Sequence, residues 1–163
     1  MLAARELLTL IMSMVGEFRQ WGRDAVPEAT VHAQCIAIVC MLRSVGHVAQ
    51  KVDCVTLAEA RFLQDRWRTW KQDEIFQTFI EPARNDLLKE FKSRLELRRA
   101  GVSRGLYVDP GAPSGMTVAV NFEAGTLTDV HGRQVMPLFE KAVLFWDHRL
   151  REIEAFRAKG TEP

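Results

Sequence analysis

Arg84, Asn85 and Lys89, in the stretch PARNDLLKEF at 82–91, bring two cations and an amide within about two helical turns of one another. A guanidinium is planar and permanently charged, so Arg84 can clamp a phosphate through parallel hydrogen bonds, and Asn85 can orient that fork or hold its helix in place. Lys89 can stabilise negative charge, but with a reference pKa of about 10.4 it shuttles protons poorly at neutral pH unless burial lowers it. An imidazole lies elsewhere in the chain: His47 follows Arg43 by four residues, which on a helix places both on one face. If that helix packs beside Arg84, His47 supplies the proton carrier and Arg43 a second cation. The candidate catalytic residues are then Arg84, Lys89 and His47, and the candidate phosphate-binding residues Arg84, Asn85 and Arg43. The competing reading is structural, with Arg43 and Arg84 closing ion pairs to Asp73, Glu81 or Glu90.

The elements that must position these residues are read from hydrophobic period. Leu7, Leu10, Ile11, Met14, Phe18 and Trp21 recur at helical spacing, widened by Leu8 and Val15, and Gly22 to Pro27 supplies a stop. Residues 28–53 are apolar nearly all round between Cys35 and Leu42, as in a central helix contacted on several sides. Thr56-Leu57-Ala58-Glu59 is a capping box opening a third helix, with Leu63, Trp67 and Trp70 on one stripe and both tryptophans expected in the core. Pro82 should kink that run or start a new helix, on which Leu87, Leu88, Phe91 and Leu95 repeat. The basic run Lys92, Arg94, Arg98 and Arg99 would suit the end of that helix or extend a phosphate-binding surface.

Glycines and prolines between residues 100 and 134 break any helical pattern. MTVAVNF at 116–122 is expected to pair with TLTDV at 126–130, with a second turn at His131-Gly132. A last helix should start at Pro137 and carry Phe139, Ala142, Val143, Trp146, Leu150, Ile153 and Phe156. The expected fold is mainly α: a single domain, residues 1–163, built as an antiparallel four-helix-type bundle with a small β-hairpin or meander inserted at about 105–136.

With 22 Lys and Arg against 21 Asp and Glu, no global field is available to hold a nucleic-acid backbone, though a local patch suffices for a specific site. Cys35, Cys40 and Cys54 lack paired C-x-x-C spacing and read as reduced core thiols of a cytoplasmic protein. The longest uncharged run, 29–42, is shorter than the roughly 20 residues of a spanning helix, so no membrane span is expected. His32 reads as a helix-terminus residue and His131 as turn chemistry. No histidine pair has zinc-helix spacing, no glycine-rich loop follows a strand, and Ser103 and Ser114 lack a nucleophile elbow. Neither a metal nor a cofactor is expected.

Arg84, Asn85 and Phe91 resemble the R-N-x-x-x-H signature, with an aromatic two residues beyond the histidine, of HEPN (higher eukaryotes and prokaryotes nucleotide-binding) domains. Lys89 stands where the histidine belongs. The helix AIVCMLRSVGHVAQK looks like the second helix of an uncharacterised bacterial HEPN-like group, in which a small, apolar stretch ends in Arg-Ser and an R-N-x-x-x-K segment follows a Trp-rich helix. The resemblance spans residues 5–95 and the final helix, and implies a helical bundle with RNA or a nucleotide as ligand. In active members, Arg and His are thought to promote metal-independent endoribonuclease cleavage by attack of the ribose 2′-OH on the adjacent phosphate. Lys89 shifts the expectation from acid-base catalysis to phosphate recognition or regulation. The family also implies a homodimer, and toxin-antitoxin or defence roles with an antitoxin-like protein partner. A non-enzymatic interaction or scaffold module using the β insertion, and an active ribonuclease using Arg84 with Lys89 or His47, are the alternatives.

Overall fold

The computed structural model describes residues 1–20, 27–89, 95–98, 126–129 and 131–160. Among these the chain is mainly helical: α1 (Ala3–Gln20), α2 (Glu28–Val48), α3 (Leu57–Trp70), α4 (Glu81–Lys89) and α5 (Val135–Gly160). Single π-helical turns over Ala49–Asp53 and Phe76–Ile80 extend α2 and lead into α4. Two strands, β1 (Leu95–Arg98) and β2 (Thr126–Asp129), pair antiparallel.

The core is one apolar cluster drawn from all five helices. On α1 it takes Ala4, Leu8, Ile11 and Val15, with Leu7, Met14 and Phe18 at its margin, while Leu10 faces solvent. The buried stripe thus runs through Leu8, Ile11 and Val15, with Leu8 and Val15, expected only to widen it, more deeply buried than Leu7, Met14 or Phe18, and α1 packs on both α2 and α5. Gln34 of α2 donates to the Met14 carbonyl and Arg19 of α1 to Glu140 of α5, so α2 and α5 both run antiparallel to α1. Arg157 with Glu59 and Arg149 with Asp73 set α3 antiparallel to α5 in the same way. Cys35, Ile38, Val39, Leu42 and Val45 bury most of the length of α2. By length and composition Ala29–Asp53 is also apolar enough to cross a membrane; in this fold Cys35, Ile38, Val39, Leu42, Val45 and Ala49 of that stretch are buried, while Ile36 and Val52 are exposed.

The joints between helices are made by polar groups. Asp53, at the end of the first π-turn, accepts from the Ala3 and Ala4 amides at 2.7 and 2.9 Å, satisfying orphan donors at the start of α1. The capping box expected at Thr56 forms: Thr56 Oγ1 accepts from the Glu59 amide, and Glu59 Oε2 accepts from the Val55 and Thr56 amides at 2.9 Å each. From α5, Arg157 donates to Glu59 Oε1 at 2.6 Å and also to the Asp53 carbonyl. Burial alone would raise the Glu59 carboxyl. The two amides and the Arg157 charge outweigh it, and the group lies below its ordinary value.

Pro82 falls in the first turn of α4. It lacks an amide hydrogen, so the Thr78 carbonyl four residues earlier loses its helical donor. The chain meets this by widening into the π-turn Phe76–Ile80, closed by the Glu81 amide on the Phe76 carbonyl, while Arg133 donates to Thr78 O at 3.3 Å. Arg133 is itself fixed by Asp129, whose carboxylate also takes the His131 and Arg133 amides. The turn expected at His131-Gly132 is present, with Gly132 at φ 75°.

The β pairing differs from expectation. Leu95–Arg98 is a strand rather than the last turn of the motif helix, and it, with Leu95 opposite Asp129, partners Thr126–Asp129. A helical run of leucines also matches a strand over so short a stretch, and only a long-range partner decides between them. Residues 116–122 lie outside the described residues. The last helix begins at Val135, with Pro137 in its first turn.

At the centre, Trp67 and Trp146 stack at 6.1 Å between centroids and 25° between planes, and both rings lie against Gly46. A Cβ built on Gly46 would sit 2.4 Å from Trp67 Cη2 and 2.6 Å from Trp146 Cη2. Gly46→Ala is expected to cost about 1–3 kcal/mol, read as a lower urea midpoint, because a methyl at those distances forces both rings or the α2 backbone to shift. Glu59→Gln should cost about 1 kcal/mol at neutral pH. Since the folded state holds the Glu59 carboxyl below its unfolded value, that gap should close as pH falls through the folded-state value, which denaturation of both proteins at several pH values measures.

Candidate functional site

Arg43 sits three residues before Gly46 on α2, and the aromatic stack shapes its surroundings. Its guanidinium carbon lies 5.3 Å from the Trp67 ring centroid and 5.5 Å from that of Phe76. The two rings meet nearly edge to face, at 80°, so the cation is held in the angle between α3 and the second π-turn. This clamp is specific to arginine, whose flat, weakly hydrated head can lie on ring faces. One of its nitrogens, Nη1, is buried without a hydrogen-bond acceptor.

Across from it stands α4. Arg84 Nη1 donates to Asn85 Oδ1 at 3.1 Å. Both side chains are half-buried. Arg43 is lowered from its ordinary value mainly by burial, with Arg84 adding to the lowering and Glu81 opposing it. His47, exposed one turn along α2, is lowered by partial loss of solvent around its ring, then by the positive charges of Arg43, Arg84 and Lys51. Arg84 also acts on Cys40, whose thiol is raised by burial against the pull of that charge. Arg43 and Arg84 thus both act electrostatically on His47, with α2 packed on α4.

The ion-pair alternative is met only in part. Asp73 is taken by Arg149 at 3.1 Å, and Glu90 lies outside the described residues. Glu81 acts on Arg43 at a distance without closing a salt bridge. Elsewhere, half-buried arginines meet carboxylates directly: Arg5 with Asp147 and Glu154, Arg149 with Asp73 and Glu152, Arg157 with Glu59. Among the described residues Arg43 and Arg84 do not. Lys89 closes α4, and its side chain lies outside the described residues, as do Phe91, Lys92, Arg94 and Arg99.

No family model, curated protein or solved structure matches this chain. The functional reading therefore rests on the site's own chemistry and on the resemblance carried by its short motifs.

Three participants were not anticipated. Trp67, expected as a core anchor or a base-stacking ring, also supports Arg43, and Phe76 of the second π-turn joins it. Lys51 could have been found from its i+4 spacing after His47. The remaining histidines stay apart from the cluster by role: His131 is in the Asp129 turn, His148 is exposed on α5, and His32 has its Nε2 buried without a partner. Cys35 is a buried thiol pushed up to about 12, an inert core group.

A cation held without a directly bonded anion costs stability, whereas a flexible apolar side chain of similar length would pack against the same rings. Arg43→Met is expected to leave the thermal midpoint unchanged or to raise it by a few degrees, in contrast to Arg157→Met, which strips a bonded partner from Glu59 and should lower it. Differential scanning calorimetry of the two variants gives the comparison.

Proposed function

We propose that this chain is a HEPN-like antiparallel four-helix-type bundle with a β insertion, catalytically degenerate, whose Arg43, Arg84 and Asn85 recognise a phosphate group of RNA or a nucleotide. The observation that carries this reading is the pair of half-buried arginines on α2 and α4 that bond no carboxylate among the described residues, where the other half-buried arginines each have one. A phosphate would supply what the site lacks: acceptors for the buried Arg43 Nη1 and for the Arg84 fork, and negative charge between two like charges. Arg43 is preorganised by Trp67 and Phe76, so little side-chain entropy is lost on binding.

Lys89 in the motif's histidine position favours recognition over proton transfer. The same reading carries a cytoplasmic protein acting as a homodimer or with an antitoxin-like partner. Ribonuclease activity is its sharper variant, with His47 as the proton acceptor: held below its ordinary value, the imidazole is neutral at pH 7 and able to take a proton from a ribose hydroxyl.

Fluorescence anisotropy with a short single-stranded RNA tests the binding. Affinity should fall as salt rises, and Arg84→Ala should weaken it about tenfold and reduce the salt slope by about one. If Arg84→Ala unfolds the protein, or folds normally and binds as wild type does, the site is structural. Incubation with RNA in EDTA separates the variants of the reading. Cleavage that disappears with Arg84→Ala identifies a metal-independent ribonuclease, and equal cleavage by the variant assigns the activity to contamination.

A further inference from the structure

Trp67, the ring that holds Arg43, divides α3 into a packed side and an open one. Leu63 and Trp70 enter the core, Phe62 stacks on Phe156 of α5 at 4.3 Å, and Arg66 reaches Glu152 of α5 at 3.8 Å. What remains is a stripe at alternating spacings of four and three residues: Leu57, Arg61, Gln64, Arg68 and Lys71, every one exposed. Around the helix this stripe lies on the side of Trp67 opposite to Phe62 and Arg66. It therefore borders the Arg43 clamp, with Arg68 next to Trp67 in sequence and Lys71 one turn beyond it.

The charges of the stripe all have one sign. Among the described residues Arg61, Arg68 and Lys71 bond no carboxylate: Glu59 is taken by Arg157, Asp73 by Arg149, and Asp65, the acid beside the stripe, closes no ion pair. The negative end of the α3 dipole favours cations at Arg68 and Lys71. It does nothing for Arg61, which stands in the second turn. At a rise of about 1.5 Å per residue, Arg61 and Lys71 are about 15 Å apart along the helix, further than one phosphate group can bridge.

We propose that this stripe extends the Arg43–Arg84 site into a track for the backbone of single-stranded RNA, with Arg61, Arg68 and Lys71 each meeting a further phosphate. The proposal deepens the phosphate reading, naming a polymer over a mononucleotide, and rests on it. A strand carries a charge on every nucleotide and is held along its backbone by charge, whereas an acidic protein segment docks through buried apolar anchors. Leu57, at one end, is the one large apolar side chain of the stripe.

Fluorescence anisotropy of the intact protein with oligouridylates of about two and about ten nucleotides tests the track. The longer strand should bind at least about tenfold more tightly, with a salt slope steeper by about two, since each phosphate neutralised on a single strand contributes about 0.7. Arg61→Gln, Arg68→Gln and Lys71→Gln combined should bring the longer strand down to the affinity of the shorter and leave the shorter unchanged. Each substitution alone should lower the slope for the longer strand by about 0.7, a comparison that holds even if the triple variant does not fold. Arg66→Gln removes a charge from the packed side of the same helix and should bind both strands as wild type does. Equal affinity for the two lengths, equal losses in Arg66→Gln and Arg68→Gln, or a poly-glutamate peptide that binds as tightly as the longer strand overturns the track while leaving the Arg84-dependent site intact. Binding of neither strand overturns the phosphate reading itself.

Discussion

The contact on which both the core and the candidate site depend is the closure of two tryptophans over Gly46. Trp67 from α3 and Trp146 from α5 approach the α2 backbone more closely than any side chain larger than hydrogen permits. Phe76 and Phe145 extend the aromatic cluster, and Arg43 lies on its α2 edge. The glycine carries a helix-propensity cost of about 1 kcal/mol. Packing of the indoles offsets that cost and sets the separation of three elements. If the rings moved outward, α2 and α3 would separate and the clamp on Arg43 would open.

Polar joints hold the ends of the same helices. Asp53 ties the end of α2 to the beginning of α1, and Glu59 ties the beginning of α3 to Arg157 near the end of α5. These groups replace water at helix termini whose backbone donors would otherwise be unmet. The second π-turn has a comparable role at Pro82, where the chain accommodates a missing amide and turns Phe76 toward Arg43. The charged site is thus bounded by two π-turns, one carrying Lys51 and the other Phe76. Irregular helical turns of this kind redirect side chains without breaking the helix that bears them.

Arg43 and Arg84 show how an arginine's meaning depends on its neighbours. Arg149 lies over Trp70 and Phe145 much as Arg43 lies over Trp67 and Phe76, yet Arg149 also bonds Asp73 and Glu152. With its charge matched, Arg149 is part of the framework. Arg43 shares the aromatic support but bonds no carboxylate among the described residues, and the charge of Arg84 acts on it.

Hydrophobic period and local chemistry were sufficient for the mainly helical character, the central place of α2, the Thr56-Glu59 capping box, the burial of Trp70 and the turn at His131-Gly132. Each of these depends on residues close in sequence or on burial, which composition reports directly. The pairing of Leu95–Arg98 with Thr126–Asp129 was not legible, since a strand's partner is a long-range choice. Arg43, His47, Arg84 and Asn85 could be named as candidates from residue type and spacing. Whether Asp73 would neutralise Arg43 or Arg84 was decided by tertiary structure, because the answer depends on which helix Asp73 faces: it turned toward Arg149 on α5. A sequence specifies which charges exist, but their balance at a site is set by the packing of helices that bring them together.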